Sequence, residues 1–98
     1  MEEIGELCFY YCEKLKAITL PDTLKSIGRG AFAHCSSLIS ITIPKSVEYI
    51  EIGAFDNCPK LTIYCEAKSK PDGWHSKWAQ NYSKDNINIV WDCKNNNH

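Results

Sequence analysis

Six cysteines and three histidines in a chain of 98 residues are the side chains with the most chemistry to offer. A thiolate can attack a substrate, bind a metal or form half of a disulfide, and what faces it decides which. Zinc sites draw on close pairs of ligands, and the closest pair here is Cys8 and Cys12, with no Cys-x₂-Cys in the chain. A catalytic nucleophile needs a base within hydrogen-bond reach and a third group to orient that base. His34 directly precedes Cys35, but adjacent side chains on an extended or turning backbone point apart. His75 stands near Asp72, and His98 ends a polar tail. Glu2 with Glu3, and Glu48 with Glu51, read as solvated surface. The glycines around Arg29 lack the lysine and the following helix of a phosphate loop. The expectation is therefore no enzyme: no catalytic residue, no metal site and no cofactor. A thiol-dependent enzyme would require Cys65, His75 and Cys93 to be close, exposed and reactive.

The elements that position these residues come from a period. Ile4, Ile27 and Ile50 are 23 residues apart, as are Phe9, Phe32 and Phe55, then Cys12, Cys35 and Cys58, then Leu15, Leu38 and Leu61. Pro21 and Pro44, Leu24 and Val47, Gly30 and Gly53, and Ala31 and Ala54 keep the same step. A fixed period of this length implies a solenoid of stacked units. Within one unit, Leu38-x-x-Ile41-x-Ile43 alternates as a strand should, with Ser40 and Thr42 on the other face. Pro44 then ends the strand, having no N–H to give a ladder. The Gly30-Ala31-Phe32 step suits a tight turn that sends Phe32 inward. Cys12, Cys35 and Cys58 become rungs of one ladder about 5 Å apart, the spacing of adjacent strands. Thiols placed so behave as small buried hydrophobes. A disulfide between neighbouring rungs would leave the third without a partner.

IGRGAFAHCSSLISITIPKSV and IEIGAFDNCPKLTIYC, and more loosely IGELCFYYCEKLKAITLPDTL, resemble the BspA-like class of leucine-rich repeats. The resemblance covers residues 4–65. It implies a curved leucine-rich repeat solenoid with one strand per repeat on a concave parallel sheet. It also implies surface-exposed or secreted bacterial and protist proteins, often adhesins. Repeat one departs by carrying Leu7 and Cys8 in place of Gly-Ala, which predicts a looser turn. Repeat three loses its spacer and its proline at Leu61–Cys65.

Three repeats over 1–65, a Trp-rich cap over 66–93 and a disordered tail over 94–98 are the expected divisions. After the turn signal Pro71-Asp72-Gly73, the four-residue spacing of Trp74, Trp78 and Tyr82 predicts a short helix with an aromatic stripe over 74–82. Asn86–Trp91 predicts a last strand beside Leu61–Cys65. That would bring Cys65 and Cys93 together, where an oxidising compartment would allow a disulfide. The three tryptophans read as the seal of an end. No comparable seal precedes Ile4, which suggests the terminal part of a longer chain, or self-association through the uncapped first repeat.

Hydrophobic residues make up 44% and charged residues 23%, with a net charge of −1 and no run of basic residues. A nucleic-acid partner is not expected. No apolar run reaches the ~18–20 residues of a membrane span, so no membrane insertion is expected. The acidic start lacks the pattern of a signal peptide. These readings give an extracellular or cell-surface module as part of a longer chain, or a cytoplasmic protein if the chain stands alone. The expected function is non-catalytic binding of a protein or surface glycan. The outward strand residues Ala17, Thr19, Ser40, Thr42, Thr62 and Tyr64 form the candidate face. The alternative is a purely structural terminal cap.

Overall fold

The structure, a computed structural model, describes residues 3–79 and 87–93. Its backbone is organised by an alternation of hydrogen bonds in each repeat. In repeat one, the N–H groups of Leu7, Phe9 and Tyr11 donate to the carbonyls of Arg29, Ala31 and Ala33 in the next turn. Between them, Cys8, Tyr10 and Cys12 donate back three residues, to Gly5, Leu7 and Phe9. Repeat two follows suit, with Gly30, Phe32 and His34 reaching Ile52, Ala54 and Asp56. Successive N–H groups thus find partners without a helix, which matters because unpaired buried N–H groups are costly.

That alternation needs two left-handed residues per turn. They fall at Leu7, Gly30 and Gly53 (φ 57, 62 and 70°) and at Tyr11, His34 and Asn57 (φ 59, 59 and 55°). Repeat one therefore takes the same turn conformation as the others, although Leu7 bears a steric cost that glycine avoids.

Each turn carries two strands. The shorter sheet orders β1 (Glu3–Ile4), β3 (Ser26–Ile27) and β5 (Tyr49–Ile50) side by side. The longer one orders β2 (Ala17–Ile18), β4 (Ser40–Ile43), β6 (Thr62–Cys65) and β7 (Asn88–Val90). All pairs are parallel, and Ile4, Ile27 and Ile50 lie in register, as do Ile18, Ile41, Ile63 and Ile89. The fold is thus the leucine-rich repeat solenoid expected, with a second, shorter ladder that the leucine-rich pattern did not announce.

The core is filled by like residues lying on like. Phe9 and Phe32 stack with ring centroids 5.1 Å apart, Phe32 and Phe55 at 5.2 Å. Cys35 donates its thiol hydrogen to Phe9 O at 3.1 Å, and Cys58 to Phe32 O at 3.0 Å. Both behave as buried core residues, while Cys12 in the first turn is half-buried. Phe9, Leu15 and Ile18 are likewise only partly covered, whereas Phe32, Leu38 and Phe55 are fully buried.

No helix forms over 74–79, contrary to the four-residue aromatic spacing, and Tyr82 lies outside the described residues. The segment instead repeats the turn above it in shortened form. Trp74 N–H bonds to Pro71 O, as Leu24 does to Pro21 and Val47 to Pro44, and Trp74 also bridges Ile50. Trp78 takes the place below Phe55: its carbonyl accepts the Phe55 N–H, and its ring meets the Phe55 ring edge-on at 5.9 Å. The two tryptophans are four apart because they serve two walls of one turn. The last strand runs beside β6 as expected, over Asn88–Val90; Asn86 and the tail 94–98 lie outside the described residues.

Truncating Phe32 to alanine removes the middle ring of the stack from a fully buried site. It should cost about 3–5 kcal/mol in urea unfolding, and Phe9→Ala, partly exposed already, less than half of that. Equal losses would show that the stack does not hold the turns together.

Candidate binding face

The outward residues of the longer sheet fall into two rows. Ala17, Ser40, Thr62 and Asn88 share one register position, and Thr42, Tyr64 and Val90 share another. Strand alternation sends Ile41, Ile43, Ile63 and Cys65 into the core and leaves Ser40, Thr42, Thr62 and Tyr64 half-buried on the other side. Ala17 and Thr19 are exposed. The structure thus places all six candidate residues on one face.

Four of them, Ala17, Thr19, Ser40 and Thr42, line a groove of about 390 Å³. Sequence reasoning missed what closes it. Asp22, from the turn after Pro21, and Glu66, just past β6, stand among its lining residues, with Leu20 and Pro44 as apolar wall. The Lys45 N–H donates to Glu66 Oε1 at 3.0 Å and holds that carboxylate in place. Among the described residues no basic side chain lines the groove, and Asp22 and Glu66 are its charged groups. The sequence carries a partial signal for Asp22 alone, which follows the repeat proline where a turn residue faces solvent; it does not reveal the groove, and nothing in the repeat marks Glu66.

A second recess, about 420 Å³, lies against the shorter sheet between Tyr49, Glu51, Asp72 and His75. His75 is committed there, its backbone N–H bonded to Ile50 O and its Nδ1 accepting the Lys77 N–H at 2.9 Å. His75 thus stands against the shorter sheet, while Cys65 ends β6 of the longer sheet and Cys93 is bonded to it through the backbone. A third exposed feature is aromatic. The His34 ring stacks on Tyr11 at 4.5 Å and meets Tyr10 edge-on at 5.7 Å, because Tyr11 and His34 occupy equivalent left-handed positions.

The thiols differ sharply in environment. The neighbouring Cys35 thiol raises the Cys58 thiol, and burial adds to this. Burial, aided by the nearby Cys93, pushes the Cys65 thiol up to about 12. Burial and the Glu66 and Asp92 carboxylates raise Cys93 as well. Cys8 is exposed. Among the described residues no group of three or more His, Cys, Asp or Glu is arranged to hold a metal ion, and no helix is long and apolar enough to cross a membrane.

Alkylation of the native protein at pH 8 should label Cys8 first, with Cys35, Cys58 and Cys65 protected at least about a hundredfold until urea unfolds the chain. The readout is mass spectrometry of peptides, and rapid native labelling of Cys65 would contradict its burial.

Residues 1–73 match the family model of the BspA type leucine-rich repeat region (6 copies). No curated protein and no solved structure matches the chain.

Proposed function

The chain belongs to the BspA-type leucine-rich repeat family, and we propose that it is a non-catalytic interaction module that binds a protein segment along the face of its longer sheet. The observation that carries this reading is the groove itself. Its floor is made of small and hydroxylated residues, Ala17 and Ser40 in one row and Thr42 in the next, which leaves room for an incoming backbone. Its rim carries Asp22 and Glu66. Carboxylates at a groove rim favour a partner bearing lysine or arginine, and they act on specificity and association rate more than on affinity. The family's frequent occurrence on cell surfaces supports an extracellular setting for this role.

Three to four short strands offer a narrow patch, well below the area of a standard protein interface, so affinity for a short segment is weak. Surface glycans are the competing partner, since hydroxyl rows also suit sugars. A purely structural end unit is the second reading, favoured by the three tryptophans that gather over the last turn.

The test is an NMR titration of the ¹⁵N-labelled protein with a lysine-rich peptide, a glutamate-rich peptide and a panel of free oligosaccharides. The lysine-rich peptide should shift Ser40 and Thr42 amides with Kd of about 100 μM or weaker, and raising salt to 1 M should remove most of the effect. Ser40→Arg with Thr42→Arg should abolish it while leaving the circular dichroism unchanged. Shifts produced only by sugars would replace the protein partner with a glycan. No shift on this face with any ligand would leave the structural reading.

A further inference from the structure

Cys65 closes β6 and is fully buried, while Cys93 lies three residues beyond β7 and is half-buried. The β6–β7 ladder ends at Tyr64 and Val90, and beyond it two backbone bonds fold the chain back onto the end of β6: the Asp92 N–H donates to Ala67 O at 2.8 Å, and the Cys93 N–H to Cys65 O at 3.0 Å. Asp92 adopts a left-handed φ of 57°, and this turn brings Cys93 back against β6. One direct backbone bond sets the two residues side by side, with Cys93 close enough to act on the Cys65 thiol, and a disulfide spans Cα separations of ~4.4–6.8 Å. The rungs of the cysteine ladder offer no such opportunity. Cys35 and Cys58 are sealed in the core with their thiols bonded to phenylalanine carbonyls.

We propose that Cys65 and Cys93 are a redox modification site, closing to a disulfide that locks β7 and Trp91 onto the end of the solenoid. Both thiols are free in the structure. The oxidant is a small-molecule disulfide. The Cys93 thiolate attacks one of its sulfurs and expels the first thiolate. The Cys65 thiolate then attacks the Cys93 sulfur and expels the second. Two cysteine thiols lose two electrons, the small disulfide is reduced to two thiols, and the two protons pass to the leaving thiolates. The order follows from access, because only Cys93 meets solvent. The second step is slow near neutrality, since the buried Cys65 thiol must ionise first.

Closure has a structural consequence at the cap. Trp91 lies 5.8 Å from the Trp74 ring and 6.1 Å from Trp78, so it covers the aromatic cluster that ends the core. Its segment is held to β6 by the short β7 ladder and two further backbone bonds. A covalent tie between Cys65 and Cys93 makes that covering permanent and removes chain entropy from the unfolded state.

The experiment treats the reduced full chain with oxidised glutathione and follows it by intact mass and tryptic mapping. The expected product is 2 Da lighter, with residues 61–68 joined to 85–94. A mixed glutathione disulfide on Cys93 should precede it and resolve about tenfold faster per pH unit between pH 7 and 9. The oxidised chain should melt about 10 °C higher than the reduced one. Cys93→Ser, a change at a half-exposed site that should leave the fold intact, should show neither the mass loss nor the melting shift. The proposal is overturned by a Cys93 adduct that never resolves, by a linkage within the cysteine ladder, by a dimer joined through Cys93, or by a linked product with unchanged melting.

Discussion

The register between turns is the constraint from which the rest of the molecule follows. Once the N–H groups of Leu7, Phe9 and Tyr11 are bonded to the carbonyls of Arg29, Ala31 and Ala33, each residue lies on its equivalent in the next repeat. The translation is the strand spacing of about 4.8 Å, so side chains have no freedom to interdigitate as they do between independent layers. They must stack like on like. Phe9, Phe32 and Phe55 show the effect: their rings are parallel to within 7° and 1° with centroids 5.1 and 5.2 Å apart, a spacing that suits offset-stacked aromatic pairs. The same rule puts the Cys35 and Cys58 thiols against the phenylalanine carbonyl of the turn before, which turns a reactive side chain into a satisfied one.

A structure propagated by stacking has to be ended by a residue that breaks the pattern. Trp78 keeps the position below Phe55 but turns its ring 88° to it, so the stack stops against an edge. Trp74 fills the space that two residues share in the turn above, where Val47 makes the turn bond and Ile50 the sheet pairing. Its Nε1 hydrogen bonds to Val47 O at 3.2 Å, so the larger ring brings no unsatisfied donor into the core. Gly73 is required beside it, because a Cβ there would collide with the Glu48 carbonyl. The end is closed by the same backbone logic as the repeats, with bulk substituted for repetition.

How much of this is legible in the sequence follows from what each signal measures. A 23-residue identity step reports register directly, so the period alone places Ile27, Phe32, Cys35 and Leu38. The six outward residues of the longer sheet follow from strand alternation. The helix expected over 74–82 fails because aromatic residues four apart suggest helical periodicity, while in this fold two walls of one turn produce the same spacing. The 23-residue step from Phe55 to Trp78 carries the right answer, obscured by an extra stretch after Cys65 and a compressed turn at Pro71–Trp74. The shorter sheet escapes notice because two-residue strands leave no alternation to count. Asp22 and Glu66 escape it because each enters the groove from a turn, and one repeat rarely reveals what a neighbouring repeat's turn will approach.

The stacking rule also decides where such a chain can carry specificity. Inward positions must match the residue above and below, and the left-handed positions are limited by backbone strain. What remains free to differ between repeats is the outward strand row and the turn after the proline. That is where this chain does differ: Ala17, Ser40 and Thr62 in one register position, Tyr64 beside Thr42 in the other, Asp22 in one proline turn against Lys45 in the next. The groove is built from those variable positions, and the carboxylate that closes it comes from Glu66, where the regular repeat gives way to the cap. A partner that reads this surface therefore reads departures from the repeat, while the repeat itself supplies only the spacing on which they are displayed.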